Sequence, residues 1–265
     1  MDDADRRRGR IVLAIDTGSL TGPALEAAAA LAAGLQSELS ALFIEDERLL
    51  RVAALPMAHE MGLWSAQRQR IALEDMERAL RIQAERLRQA VGQTARRLTL
   101  TWTLEVLRGE ILATSLERVR PEDLLVVGKG RVPLPPRERA RAGAFPALAA
   151  RPVIVLFNGS DSALRALEAG HALARIIPTE LSVLVTASTP QYFEERRARA
   201  AQWLAERGAA ARYLSVASRE PAALAVAVRS QGGGILVWPT PPDTRELAAL
   251  ARLIDEVGCP VVVLP

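Results

Sequence analysis

The strongest constraint on this chain is that it repeats itself, because two copies of one pattern must build two copies of one architecture. Leu25-Glu26-Ala27 with Ala30-Leu31-Ala32 recurs as Leu167-Glu168-Ala169 with Ala172-Leu173-Ala174. Glu38-Leu39-Ser40 with Leu42 recurs as Glu180-Leu181-Ser182 with Leu184, and both recurrences stand 142 positions apart. Leu125-Val126-Val127 matches Leu236-Val237-Trp238 at an offset of 111, so the second copy is shorter by 142 − 111 = 31 positions after its second strand. The copies meet in Arg151 to Ser162, whose front half resembles the C-terminal Cys259-Pro-Val-Val-Val-Leu264 and whose back half echoes Ile11 to Ser19. One strand serves where two are expected.

Each copy alternates short apolar runs with helical stretches. Ile11 to Ile15 is a continuous apolar run, as in a strand buried on both faces of a parallel sheet. A helix is expected over 22–36, with Pro23 in its first turn and an alanine-rich body, and a second strand over 39–44. Strand, helix, strand is the signature of a parallel sheet with right-handed crossovers. The spacing of Leu73, Met76, Leu80, Ala84, Leu87, Val91, Thr94 and Leu98 predicts one long helix over 67–97, with a salt-bridged outer face carrying Glu74–Arg78 and Glu77–Arg81. A third strand is read at 98–106, a short helix at 110–119 and a fourth strand at 124–127. In the second copy, strands are read at 153–157, 181–186, 212–216, 235–238 and 261–264. Helices are read there at 162–175, 191–207, 221–230 and 244–257.

The insert 45–65 is largely missing from the second copy. Leu49, Leu50, Val52, Leu55, Met57, Met61, Leu63 and Trp64 are too apolar for a solvated loop, so they are expected to cover the first unit or a second subunit.

Composition narrows the function classes. Hydrophobic residues at 49% and charged residues at 25% fit a globular protein with a full core. With no apolar run long enough for a membrane span and no apolar signal core, the expectation is a cytoplasmic protein. The charge of +3 from 34 basic and 31 acidic side chains, with glutamates interleaved among the arginines, gives no concentrated nucleic-acid footprint. Cys259 is the sole cysteine and is read as a small buried residue. His59 and His171 are the only histidines, too few for a metal site or a catalytic triad, so no catalysis is expected.

Taken together, the opening strand with Asp16-Thr-Gly-Ser19, the Glu-Leu-Ser-x-Leu second strand, the Glu122-Asp-Leu-Leu-Val-Val-Gly128 fourth strand and the closing Pro-Val-x-Val-Leu strands resemble the universal stress protein family in its tandem form. The fold class so implied is α/β: two tandem, doubly wound, Rossmann-like domains with parallel sheets and strand order 3-2-1-4(-5). The expected domains are 1–151, carrying the insert, and 152–265. Nucleotide-binding members of that family have an Asp closing the first strand and a glycine-rich loop with a hydroxyl residue after the fourth. Glycines let backbone N–H groups approach phosphates. Asp16, Gly128, Lys129, Gly130 and Gly143 match that pattern in degenerate form: the first glycine pair is one residue short, twelve residues separate Gly130 from Gly143, and Ala144 replaces the hydroxyl residue. Lys129, Arg131, Arg137, Arg139 and Arg141 offer charge to phosphates instead.

In the second copy Asn158 replaces the carboxylate, and Pro239, Pro241 and Pro242 remove amide donors after the fourth strand. No cofactor is therefore expected, and ATP stands as an alternative for the first half alone. Asn158-Gly-Ser-Asp-Ser162 also resembles, at three of five fixed positions, the pyrophosphate loop of ATP pyrophosphatases; the bland reading is that Asp161 or Ser162 caps the next helix. Two readings stay open: a non-enzymatic regulatory or protein-interaction module, partnered by another protein or by itself, and an ATP-responsive stress protein.

The shared strand 153–157 can be central in only one sheet. Losing a central strand splits a core, whereas losing an edge strand costs one ladder of hydrogen bonds, so the second unit is expected to claim it. The strand at 124–127 is then an exposed edge, and the spare strand 261–264 is the expected place for the two sheets to meet.

Overall fold

The computed structural model describes residues 9–17, 21–47, 51, 59–61, 68–70, 73–128, 145, 148, 151–218, 220–239 and 244–264. β1 (Ile11–Asp16) is buried on both faces because it lies inside a sheet, with Ile11, Leu13 and Ile15 in one core and Val12 and Ala14 in the other. The further strands of this sheet are β2 (Leu39–Asp46), β5 (Trp102–Gly109), β6 (Leu124–Gly128), β7 (Val153–Phe157), β8 (Leu181–Thr186), β9 (Arg212–Val216), β10 (Ile235–Trp238) and β11 (Val261–Val263). They line up as β5-β2-β1-β6-β11-β10-β7-β8-β9. The first four are the order 3-2-1-4, and the pairing is parallel throughout except at one seam, where β6 runs antiparallel to β11 with Val126 opposite Val262. β7 sits between β10 and β8, so the second half does own the shared strand. The edge that this leaves on β6 is covered by β11, which satisfies the backbone groups of both.

Helices cover both faces. α1 (Thr21–Leu35), α2 (Leu73–Leu98), α4 (Asp161–Ile176) and α5 (Pro190–Ala205) pack on one face. The short α3 (Ile111–Leu116), α6 (Pro221–Ser230) and α7 (Thr244–Val257) pack on the other. α1 buries alanines on every side, Ala24, Ala27 to Ala30 and Ala32, because it is wedged among the sheet, α2 and α4. Small residues let the neighbouring helix come close. A Cβ on Gly34 would stand 1.9 Å from Ile176 Cδ1 of α4.

The stripe on α2 is confirmed, with Leu80, Leu87 and Val91 buried, but its start is corrected. Arg68–Arg70 (β4) pairs antiparallel with His59–Met61 (β3), so the helix begins at Leu73 rather than at residue 67. Its exposed face carries the pairs Asp75–Arg78 at 3.2 Å and Glu85–Arg88 at 3.6 Å. The third strand also moves, to 102–109. α2 runs on to Leu98, and Thr99, with φ of 56°, closes it through Leu100 N–H on Ala95 O at 2.9 Å. β2 likewise runs into the insert as far as Asp46. The apolar side chains of residues 49–64 lie outside the described residues.

At the amino ends, Arg10 and Asp123 tie β1 to β6. The Asp123 carboxylate, its side chain 1% exposed, accepts from Arg10 N–H at 2.7 Å, from an Arg10 guanidinium nitrogen at 3.0 Å and from Arg120 N–H at 3.0 Å. Just before β10, Gly234 lies so close to β7 that a Cβ would stand 1.7 Å from Pro152 O.

Candidate functional site at the carboxyl ends of the strands

In a doubly wound sheet, ligands sit outside the carboxyl ends of the strands where the winding reverses. In the first half that point lies between β1 and β6. Asp16 ends β1 half-buried, and its neighbour Ile15 is opposite Gly128 at the end of β6. Gly128 is buried, and a Cβ there would come within 2.5 Å of Ala24 Cβ, so only glycine lets the first turn of α1 settle against β6. The structure thus brings two of the sequence-derived residues, Asp16 and Gly128, to one place. Lys129, Gly130 and Gly143 lie outside the described residues, as do the arginines between them.

Beside Asp16 lies a feature that sequence reasoning missed. Glu45, 8% exposed, receives Arg108 Nε at 2.9 Å from the neighbouring strand. The hydrogen bond and the charge of Glu45 together raise the Arg108 guanidinium above its ordinary value. The register Glu45↔Arg108 makes this pair, and it could be found only once the third strand was correctly placed at 102–109.

The same point in the second half lies between β7 and β10. Asn158 follows β7, and its Oδ1 accepts from Ser160 N–H at 3.0 Å and from Ser160 Oγ–H at 2.6 Å. Ser160 Oγ in turn accepts from Ala163 N–H at 3.2 Å and meets Ser162 Oγ at 2.8 Å. Ser160, not Asp161 or Ser162, is therefore the helix cap, and Asp161 is the first residue of α4. Asp161 pairs with Arg199 at 2.9 Å. Arg199 also donates to Gly159 O, so α5 clasps the turn, while Arg196 donates to Thr186 O at the end of β8. Gly159 takes φ of 83°, which glycine adopts without strain.

Trp238 ends β10 at 4% exposure, followed by the buried Pro239. Among the described residues, Trp238 Nε1 and Thr186 Oγ1 are buried without a hydrogen-bond partner. The turn that resembles a pyrophosphate loop spends its hydroxyls on itself. A phosphate would also meet the Asp161 carboxylate.

Among the described residues, no group of three or more His, Cys, Asp or Glu is placed to hold a metal ion. Cys259 is buried as expected, and desolvation pushes its thiol up to about 12, against weaker opposing contacts from Leu236, Arg151 and Gly234. A thiol so held is not a nucleophile at neutral pH. His171 is a half-buried boundary residue, edge-on to Trp203 with ring centroids 6.3 Å apart. Among the described residues no helix is long and apolar enough to cross a membrane.

No protein-family model matches the sequence, and no curated protein matches it. Solved structures do. A universal stress protein from Archaeoglobus fulgidus DSM 4304 superposes with a TM-score of 0.52, covering 95% of this chain and 97% of its own, at 11% identity. A protein from the universal stress protein family of Burkholderia pseudomallei aligns at 26% identity over 43% of this chain and 96% of its own, with a TM-score of 0.34. Over nearly its whole length, then, the chain has the universal stress protein fold, in the tandem form that its internal repeat requires.

Proposed function

We propose that the protein is a non-catalytic, cytoplasmic module of the universal stress protein type, acting through association with another protein or with itself, and that the carboxyl-end site of its second half takes no nucleotide. The observation that carries this reading is the closed network at the end of β7. Asn158, Ser160 and Ser162 are already hydrogen-bonded in a chain, and Asp161 is already paired with Arg199. A phosphate entering there would break several hydrogen bonds, each contributing about 0.5–1.5 kcal/mol, to make its own. Support for association comes from the sequence, through the apolar residues between Leu49 and Trp64. Leu55→Ser with Trp64→Ser should convert an associated wild type to monomer in sedimentation; an unchanged dimer, or a monomeric wild type, speaks against self-association through this segment.

A second reading, ATP bound by the first half alone, is favoured by Asp16 standing beside Gly128 at the end of adjacent strands. A carboxylate there suits the ribose hydroxyls, and the close-packed glycine suits a backbone approach to phosphate. Titration calorimetry of the full chain with ATP tests both readings. One ATP per chain, abolished by Asp16→Ala, is the outcome of the second reading, and no heat is the outcome of the first. Two ATP per chain, or steady release of ADP, overturns the assignment of the second half and the absence of catalysis, respectively.

A further inference from the structure

Each half also has a cavity at the opposite, amino ends of its strands, and the repeat lets the two be compared position by position. The first, of about 910 Å³, is lined by Arg10, Glu38, Arg120, Glu122 and Asp123 among others. The second, of about 650 Å³, is lined by His171, Arg175, Glu180, Arg207 and Arg212 among others. The offset of 142 places Arg175 at the position of Ala33, and Glu180 at that of Glu38.

For the far wall the correspondence comes from backbone geometry. Ser40 pairs with Thr103 as its repeat equivalent Ser182 pairs with Arg212. Thr99 (φ 56°) closes α2 as Gly208 (φ 65°) closes α5, through Leu100 N–H on Ala95 O at 2.9 Å and Ala209 N–H on Leu204 O at 3.0 Å. Arg207 and Arg212 therefore stand where the first half has Leu98 and Thr103. Three neutral positions of one half are arginines in the other, around a single cavity whose one lining carboxylate among the described residues is Glu180.

One of the three is held in place. Arg207 lies over the Trp203 ring, 3.7 Å from its centroid, and donates to Trp203 O at 3.0 Å and toward Glu206 at 3.7 Å. Stacking of this kind fixes a guanidinium plane so that less freedom is lost when its remaining donors bind. Arg175, in the last turn of α4, and Arg212, at the start of β9, are exposed.

We propose that this second-half cavity binds the phosphate group of a small phosphomonoester, with Arg175, Arg207 and Arg212 as its charge partners. Planar, charge-assisted donors from three arginines lining one cavity suit a dianionic tetrahedral oxyanion, and a volume of about 650 Å³ lies within the usual range for small-molecule sites. The cavity is separate from the carboxyl-end site and does not depend on the reading given for it.

His171 supplies a reporter inside the site. Burial first, then the charges of Arg175 and Arg207, hold its imidazole below the ordinary value. An anion among those arginines offsets their charge and raises it; Glu180 and Arg212 are the other charged groups lining this space. The test is a histidine Cε1–H titration of the full chain between about pH 5 and 8, in chloride and with glycerol phosphate or inorganic phosphate at matched ionic strength. His171→Asn identifies the signal against His59. Glycerol phosphate should raise the His171 value saturably and leave His59 unmoved. Arg175→Ala with Arg212→Ala, both at exposed positions, should weaken the response at least about tenfold with the melting temperature unchanged. An equal response to inorganic phosphate assigns recognition to the phosphate group alone; a response to glycerol phosphate only assigns it to the monoester. No rise with either, or the same rise in the double variant, overturns the proposal.

Discussion

Asp123→Asn keeps the shape of a buried side chain and takes away its charge, at the point where the first and fourth strands of the first half are tied together. The amide oxygen can still take Arg10 N–H, now held by Oδ1 at 2.7 Å. Both contacts at Oδ2, the Arg10 guanidinium at 3.0 Å and Arg120 N–H at 3.0 Å, would instead face an NH₂ group. Hydrogen bonds to charged groups contribute about 1.5–3 kcal/mol each. Water can partly replace the carboxylate at Arg10, whose side chain is 32% exposed, and that discount brings the expected loss to about 2–4 kcal/mol. For a chain of this size that is a fall in melting temperature of roughly 5–15 °C.

The loss should depend on pH. Burial, the largest single influence, pushes the Asp123 carboxyl up, but hydrogen bonds from the Arg10 side chain and from Arg120 and Arg10 N–H outweigh it and hold the group below its ordinary value. Its stabilisation is therefore full above the unfolded value of about 3.9 and disappears as pH falls through the lower folded value. Urea denaturation should show a constant gap between wild type and variant from about pH 5 to 8, closing below about pH 4. A gap under about 0.5 kcal/mol at pH 7, or one that does not close in acid, would refute the latch.

Two glycines should behave differently under the same substitution. Gly234→Ala drives a Cβ to 1.7 Å from the Pro152 carbonyl oxygen, a backbone atom that cannot step aside, and should cost about 3 kcal/mol or more in urea denaturation. Gly34→Ala meets only the end of the Ile176 side chain and gains helix propensity, so it should lie within about 1 kcal/mol of wild type. Ser160→Ala removes the cap of α4 and the partner of Asn158 and should cost about 1 kcal/mol by the same measurement.

What the sequence made legible was whatever lies in local pattern or in the repeat. The allocation of β7 followed from comparing a central strand with an edge strand, and the seam between β6 and β11 followed from the exposed edge this leaves. The third strand was misplaced because Leu98 and Leu100 continue an apolar pattern through the end of α2, and nothing local marks Thr99 as a helix terminator where glycine is the usual signal. The hairpin of β3 and β4 lay in three-residue strands too short for any period to register. Asp123 stood inside the motif that located β6, but its role depends on Arg10, 113 positions away. At the candidate site, Asp16 and Gly128 were legible from the strand ends they close, while the clasp of Arg199 on the 158–162 turn depends on how α5 packs. Long-range pairing of side chains is what a single sequence leaves out.

The central claim is that one duplicated chain builds one nine-stranded sheet by giving the shared strand to the second half and sealing the first half's open edge with β11. Proton–proton contacts between strands, measured by nuclear Overhauser spectroscopy on the deuterated full chain, test it most directly. Antiparallel neighbours place opposed residues about 4.5–5.5 Å apart at Cα, so the backbone of Val126 should contact that of Val262, and Leu125 that of Val263. Contacts from Leu125 to Val127 onto Ile154 to Leu156, with none onto Val261 to Val263, would place β7 beside β6 and contradict the account.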